Sequence, residues 1–145
     1  MLSLTEKEVD LIATQLLKGN VCFYQVDKKK IHHMPDDEDH FNYDLTPEEE
    51  DILDEIEDQP DNFAEFTRLE PSQEHQLMQD FVDRRVKEKT LAEDLVSALS
   101  KPKATTAFRF LLEGSKYKNE WIEFLRGKYH DWIKEQVDSF NYAED

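Results

Sequence analysis

Trp121, Leu125, Tyr129, Trp132, Ile133, Gln136 and Phe140 recur at the offsets of one helical face, and no other pattern restricts the fold of this chain as strongly. Nine of the sixteen aromatic residues, both tryptophans among them, fall within residues 104–145. Burying an indole removes roughly 150–250 Å² from water, worth several kcal/mol at about 25 cal/mol per Å². Gly127 interrupts the same stretch at a cost of about 1 kcal/mol relative to alanine, which the packing outweighs. The spacing therefore predicts a long last helix, preceded by one over about 103–113 that ends at Gly114. The two close the core, and polar Gln136 breaks the apolar stripe.

A chain of 145 residues suits a single domain. We expect a mixed α/β part over 1–70 and a helical part over 71–145. At this size folding hides about 68% of the unfolded surface, so no covalent staple is needed. The only cysteine, Cys22, excludes an internal disulfide or a cysteine-based zinc cluster within one chain. It lies in the apolar run Val21-Cys22-Phe23-Tyr24, which suggests a buried structural thiol. Residues 1–8 lack the basic and apolar regions of a signal peptide, and no apolar run approaches the ~20 residues that span a bilayer. A cytoplasmic location without a membrane partner is expected.

Along the chain, Thr5-Glu6-Lys7-Glu8 has the form of a capping box. Val9, Ile12 and Leu16, with Leu11 and Leu17 beside them, give the following helix its apolar face, and Gly19-Asn20 stops it. Residues 21–26 and 30–34 are a predicted hairpin, although its turn lacks Asn-Gly or Asp-Gly. Thr46 and Pro47 start a helix to about Asp58 whose apolar residues are only Ile52, Leu53 and Ile56, so it mostly faces water. Residues 62–69 are a candidate third strand. Ser72 is the expected cap of a helix burying Leu77, Met78, Phe81, Val82 and Val86. Thr90-Leu91-Ala92-Glu93 is expected to cap the next helix, broken at Lys101-Pro102. The resulting fold class is α+β: a small antiparallel sheet of a hairpin plus one strand, about six helices, and a C-terminal half that is all helical.

Charge is segregated. Residues 35–75 hold seventeen acidic side chains and one basic one, Arg68, so this segment carries the whole net charge of -16. Such a field repels nucleic acid and attracts basic partners. Within it Asp51, Asp54, Glu55 and Asp58 share a helix face. Paired carboxylates serve acid–base or two-metal chemistry only where burial separates their pKa values, so a bare acidic face is the preferred account. His32, His33, Asp36, Asp37, Asp39 and His40 gather metal-type ligands, but adjacent strand histidines point to opposite faces and the run misses the calcium-loop pattern. A solvated loop is preferred. His130 falls opposite the apolar stripe, as a surface histidine. Lys101, Lys103, Arg109, Lys116, Lys118, Arg126, Lys128 and Lys134 alternate with aromatics, a pattern open to phosphate contacts and base stacking. The rings follow the inward period, however, so core rings with surface lysines are the preferred account.

Leu77-Met78-Gln79-Asp80-Phe81-Val82, Ala107-Phe108-Arg109-Phe110, and Trp121 with Phe124 and Trp132 together resemble a bacterial family catalogued as uncharacterised protein family (UPF) number 0158. The resemblance covers most of the chain and is specific from about Leu77 onward. It supports the fold and implies no activity. Arg109 resembles the family's arginine; its ordinary role is an ion pair with an acid on a neighbouring helix. We expect a non-enzymatic, cofactor-free protein that binds or regulates a basic protein partner. Its candidate interaction residues are Glu48, Glu49, Glu50, Asp51, Asp54, Glu55 and Arg109. Weak nucleic-acid binding by the C-terminal helices and a metal-dependent hydrolase are the alternatives.

Overall fold

The computed structural model describes residues 2–35 and 46–144. Helix α1 (Glu6–Leu17) starts where the capping box places it: the Thr5 hydroxyl accepts from the Glu8 N–H at 3.1 Å, and the Glu8 carboxylate accepts from the Thr5 N–H at 2.9 Å. Val9, Ile12, Ala13 and Leu16 are buried. Leu11, expected beside them, is 49% exposed because it falls off that face. Gly19 ends the helix with φ +98°, a conformation that strains any residue with a Cβ.

The chain then enters β1 (Asn20–Gln25), which pairs antiparallel with β2 (Lys30–Pro35) on one side and with β3 (Phe63–Phe66) on the other. The order β2-β1-β3 makes β1 the central strand. Cys22 on β1 is fully buried, and its thiol points at the Ile12 carbonyl of α1 at 4.0 Å. Burial pushes this thiol up to about 12. The hairpin turn over 26–29 holds Lys29 at φ 52°. A distant residue stabilises it: Asn62 accepts from the Val26 N–H through its carbonyl at 2.8 Å and from the Asp27 N–H through its side chain at 3.1 Å. Its amide also donates to the Asp27 carboxylate at 3.0 Å. This tertiary clamp replaces the missing turn signal.

Helix α2 (Pro47–Asp58) is capped by Thr46 and Glu49, which exchange hydrogen bonds at 3.1 and 3.2 Å. After β3 come α3 (Pro71–Arg85), α4 (Lys89–Leu99), α5 (Ala104–Glu113) and α6 (Lys118–Glu144). Six α-helices and one three-stranded antiparallel sheet are thus present among the described residues, and the C-terminal half is helical. None of these helices is long and apolar enough to cross a membrane. By backbone contacts the chain forms two compact units, Met1–Arg68 with Tyr129–Asp145, and Leu69–Lys128.

Two expected caps are displaced. Pro71 occupies the first turn of α3, where its fixed φ and missing N–H are favourable, so Ser72 lies inside the helix. Glu70 is the cap residue, and its N–H donates to the Gln73 side chain at 2.9 Å. At α4 the cap residue is Glu88, and Thr90 lies inside the first turn. Here Tyr117 fixes the chain: its hydroxyl accepts from the Lys87 N–H at 3.1 Å and donates to the Glu88 carboxylate. Hydrogen bonds from Lys116 and Tyr117 hold that carboxyl down to about 2.

In the first unit the polar side chains of α6 complete the hydrogen bonding of extended backbone. Thr67, just beyond β3, donates its N–H to Gln136 Oε1 at 2.9 Å and accepts from the Trp132 indole N–H at 2.7 Å. One helical turn further on, the Asn141 amide meets both backbone groups of Leu2, at 2.6 and 2.9 Å. Gln136 breaks the apolar stripe because strand-like backbone needs an acceptor there. Tyr129 and Ile133 are buried, and His130, expected at the surface, is half-buried with its Nε2 3.2 Å from the Asp10 carboxylate.

The second unit is built on an aromatic cluster. Phe81 and Phe108 meet Trp121 edge-on with centroids 5.2 and 5.3 Å apart, and Phe124 stacks on Trp121 at 6.0 Å. Arg85 and Lys128 lie over the Phe124 ring at 6.0 and 5.5 Å. His75 bonds the terminal carbonyl of α4 at Leu99, at 3.0 Å.

Two stability measurements follow from these contacts. Gln136→Ala leaves the Thr67 N–H without its acceptor and is expected to lower the unfolding free energy by about 1–3 kcal/mol. A Cβ built on Gly127 meets nothing within 4 Å. Gly127→Ala is therefore expected to raise stability by about 0.5–1 kcal/mol. Urea titration of both variants beside the parent checks the opposite signs.

Candidate interaction surface

Helix α2 is short of apolar residues and has no fully buried side chain. Ile52, Leu53 and Ile56 are half-buried, whereas Glu48, Glu50, Asp51, Asp54 and Glu55 are exposed. Two of its acids have internal tasks. Glu49 completes the cap with Thr46, and Glu55 accepts from the Gln25 amide at 3.3 Å. Among the described residues, none of the α2 carboxylates forms an ion pair.

The remaining charges oppose one another. Glu50 and Asp54, Asp51 and Glu55, and Asp54 and Asp58 are four residues apart, and each like-charge pair costs about 0.2–0.5 kcal/mol. Glu48, Glu49 and Glu50 lie in the first turn, where the helix dipole favours them. Asp54, Glu55 and Asp58 lie near the other end, where carbonyl groups repel them, and no basic residue occupies the last turn. The helix retains its fold through its cap and its three apolar contacts, and it presents unneutralised charge to solvent.

A chain of hydrogen bonds ties this helix to the sheet. Gln25, at the end of β1, is 3% exposed. Because its amide nitrogen donates to Glu55, its oxygen accepts from His32 Nε2 at 3.0 Å, which assigns the proton to that ring nitrogen. The His32 ring also lies 6.4 Å from that of Phe63. Burial, reinforced by the Lys30 charge and partly offset by Glu55, lowers its pKa. Beside this chain an open cleft of about 210 Å³ separates β2 from the first turn of α2. Ile31, Met34 and Ile52 supply its apolar lining, and His32, His33, Glu48 and Glu49 its polar one.

Among the described residues, no three histidine, cysteine or acidic side chains are grouped to hold a metal ion. Asp36, Asp37, Asp39 and His40 lie outside the described residues. Arg109 belongs to the other unit, on α5. Its expected ion pair is absent among the described residues, because its side chain is exposed, off the face carrying buried Phe108.

A sequence model of the Uncharacterised protein family (UPF0158) matches residues 37–145. The chain belongs to UPF0158. No curated protein and no solved structure matches. The UPF0158 match contains α2 and the four C-terminal helices, with every interaction candidate from Glu48 to Arg109. Gln25 and His32, which anchor α2 to the sheet, precede the matched span. Sequence reasoning missed both anchors. The one signal for Gln25 is a polar residue near the end of an otherwise apolar strand.

The neutral imidazole carries a pH dependence. The unfolded chain takes up a proton near pH 6.5, whereas folded His32 resists it to lower pH. Stability is therefore expected to fall as pH drops from about 6.5 toward the lower folded value. His32→Gln keeps a donor for Gln25 and should flatten this part of the profile. Urea midpoints of both proteins at pH 7.5 and 5.5 make the comparison.

Proposed function

We infer that this protein is a non-enzymatic, cytoplasmic binding or regulatory protein whose α2 helix receives a lysine- or arginine-rich segment of a partner protein. The observation that carries this reading is the set of like charges stacked along α2 without an ion pair among the described residues. A basic segment would relieve three repulsive pairs and the unfavourable C-terminal dipole together. The cleft beside the first turn supports the same chemistry: a long basic side chain can lay its methylenes along Ile31, Met34 and Ile52 while its charge approaches Glu48 and Glu49.

Binding of nucleic acid by the C-terminal helices is the weaker reading. Lys116 is engaged by Glu88, Lys134 lies 3.7 Å from Glu6, and Lys128 covers the Phe124 ring. Phe108, Tyr117, Trp121 and Tyr129 are buried and offer no face for a base to stack on.

The test replaces Glu48, Glu50, Asp51 and Asp54 with their amides, leaving Glu49 in its cap and Glu55 on Gln25. Binding of a fluorescein-labelled lysine- and arginine-rich peptide is measured by anisotropy across salt concentrations. The parent should bind with an affinity that falls as salt rises, and the variant should bind about tenfold more weakly or worse. Equal binding by the two proteins rejects the α2 surface.

A further inference from the structure

The second unit contains a surface of the opposite character. Helix α4 ends at Leu99, residues 100–103 turn the chain, and α5 begins at Ala104. Between these elements lies an open groove of about 740 Å³. Ala98 and Ala107 are too small to fill the space, so Pro102, Phe110 and Leu111 are left around a hollow. Phe110 is 77% exposed. Its phase explains this: two residues from Phe108, it projects about 200° around the helix from the face that buries Phe108 and Leu112. An exposed phenyl ring continuous with an apolar hollow offers an apolar partner a place to dock.

The polar lining is one-sided in charge. In a chain of net charge -16, the groove is lined by Lys101, Lys103 and Thr106 and by no acidic residue. It also opens at the start of α5. The cap residue there, Lys103, makes no side-chain capping bond, and the first turn has no acidic residue. The free N–H groups and the positive end of the helix dipole thus add to the two lysines.

We propose that this groove docks a segment of a partner protein that carries apolar anchor side chains flanked by acidic residues. The anchors enter the hollow against Phe110 and Leu111, and a carboxylate reaches Lys101, Lys103 and the first turn of α5. Charge complementarity selects this occupant. A lysine-rich segment would meet the two lysines, and an apolar segment without acids would leave them unused. The groove is an open trough and not an enclosed cavity, which suits a peptide whose backbone stays outside. This inference is independent of the α2 reading, because its residues, its charge and its unit are different.

The probe is a labelled helical peptide with two leucines one turn apart and glutamates on either side, at about 0.15 M salt to screen long-range repulsion. Amide chemical-shift changes are expected to concentrate on residues 98–111. Phe110→Ser, at an exposed position, and the charge reversal Lys101→Glu with Lys103→Glu should each weaken binding about tenfold. The quadruple amide variant of α2 should leave it unchanged, which separates this site from the other. The proposal is overturned if the leucine-to-serine peptide binds equally well, or if no shifts appear at residues 98–111 up to millimolar peptide. It is equally overturned if Phe110→Ser converts a dimer of the unliganded protein to monomers, since a second copy would then own the surface.

Discussion

Backbone that leaves a sheet must find new hydrogen-bond partners, and in the first unit α6 supplies them. Trp132 and Gln136 stand one turn apart and take the carbonyl and N–H of Thr67, where β3 has run out of ladder. Asn141 does the same for Leu2. Burial of Tyr129 and Ile133 on the same helix provides apolar packing, but packing alone tolerates a range of positions. The paired polar contacts select one of them. The helix is therefore amphipathic in a specific sense: its polar residues near the core are placed where extended backbone would otherwise be unsatisfied.

Electrostatics separates into two local problems. Acids are concentrated on α2, which tolerates them because most are solvated and because the first-turn glutamates favour the dipole. The groove beside α5 has lysines and no acids. Each surface leaves charge uncompensated within the protein. Glu88 behaves differently. Lys116 and Tyr117 satisfy it, and it works as the structural start of α4.

Legibility in the sequence followed the range of the interactions. Thr5 with Glu8, and Thr46 with Pro47, announce helices because cap and partner are three residues apart or fewer. The apolar period of α6 was equally plain. Ser72 and Thr90 misled because the start of a helix is set by its neighbours: Pro71 claims the first position of α3, and Tyr117 holds the chain ahead of α4. The hairpin turn depends on Asn62, 35 residues from Asp27, and Gln136 acts on a residue 69 positions away. No local window contains those pairs. Phe110 was legible after all, since its offset from Phe108 sets it on the other side of α5. The expectation that the C-terminal rings are core rings holds for Phe108 and not for Phe110. For the candidate surface, the exposure of α2 followed from its sparse apolar residues, whereas its anchorage through Gln25 and His32 did not.

Cys22 has a practical consequence. The chain's single thiol is sealed beneath α1 on the central strand and stays protonated at neutral pH. An alkylating reagent reacts with thiolate, so modification waits for the strand to open and the sulfur to regain its ordinary acidity. The rate of that reaction is then a clock for opening of the sheet, available without an introduced label. Because the other elements contain no cysteine, the clock reports on one place only.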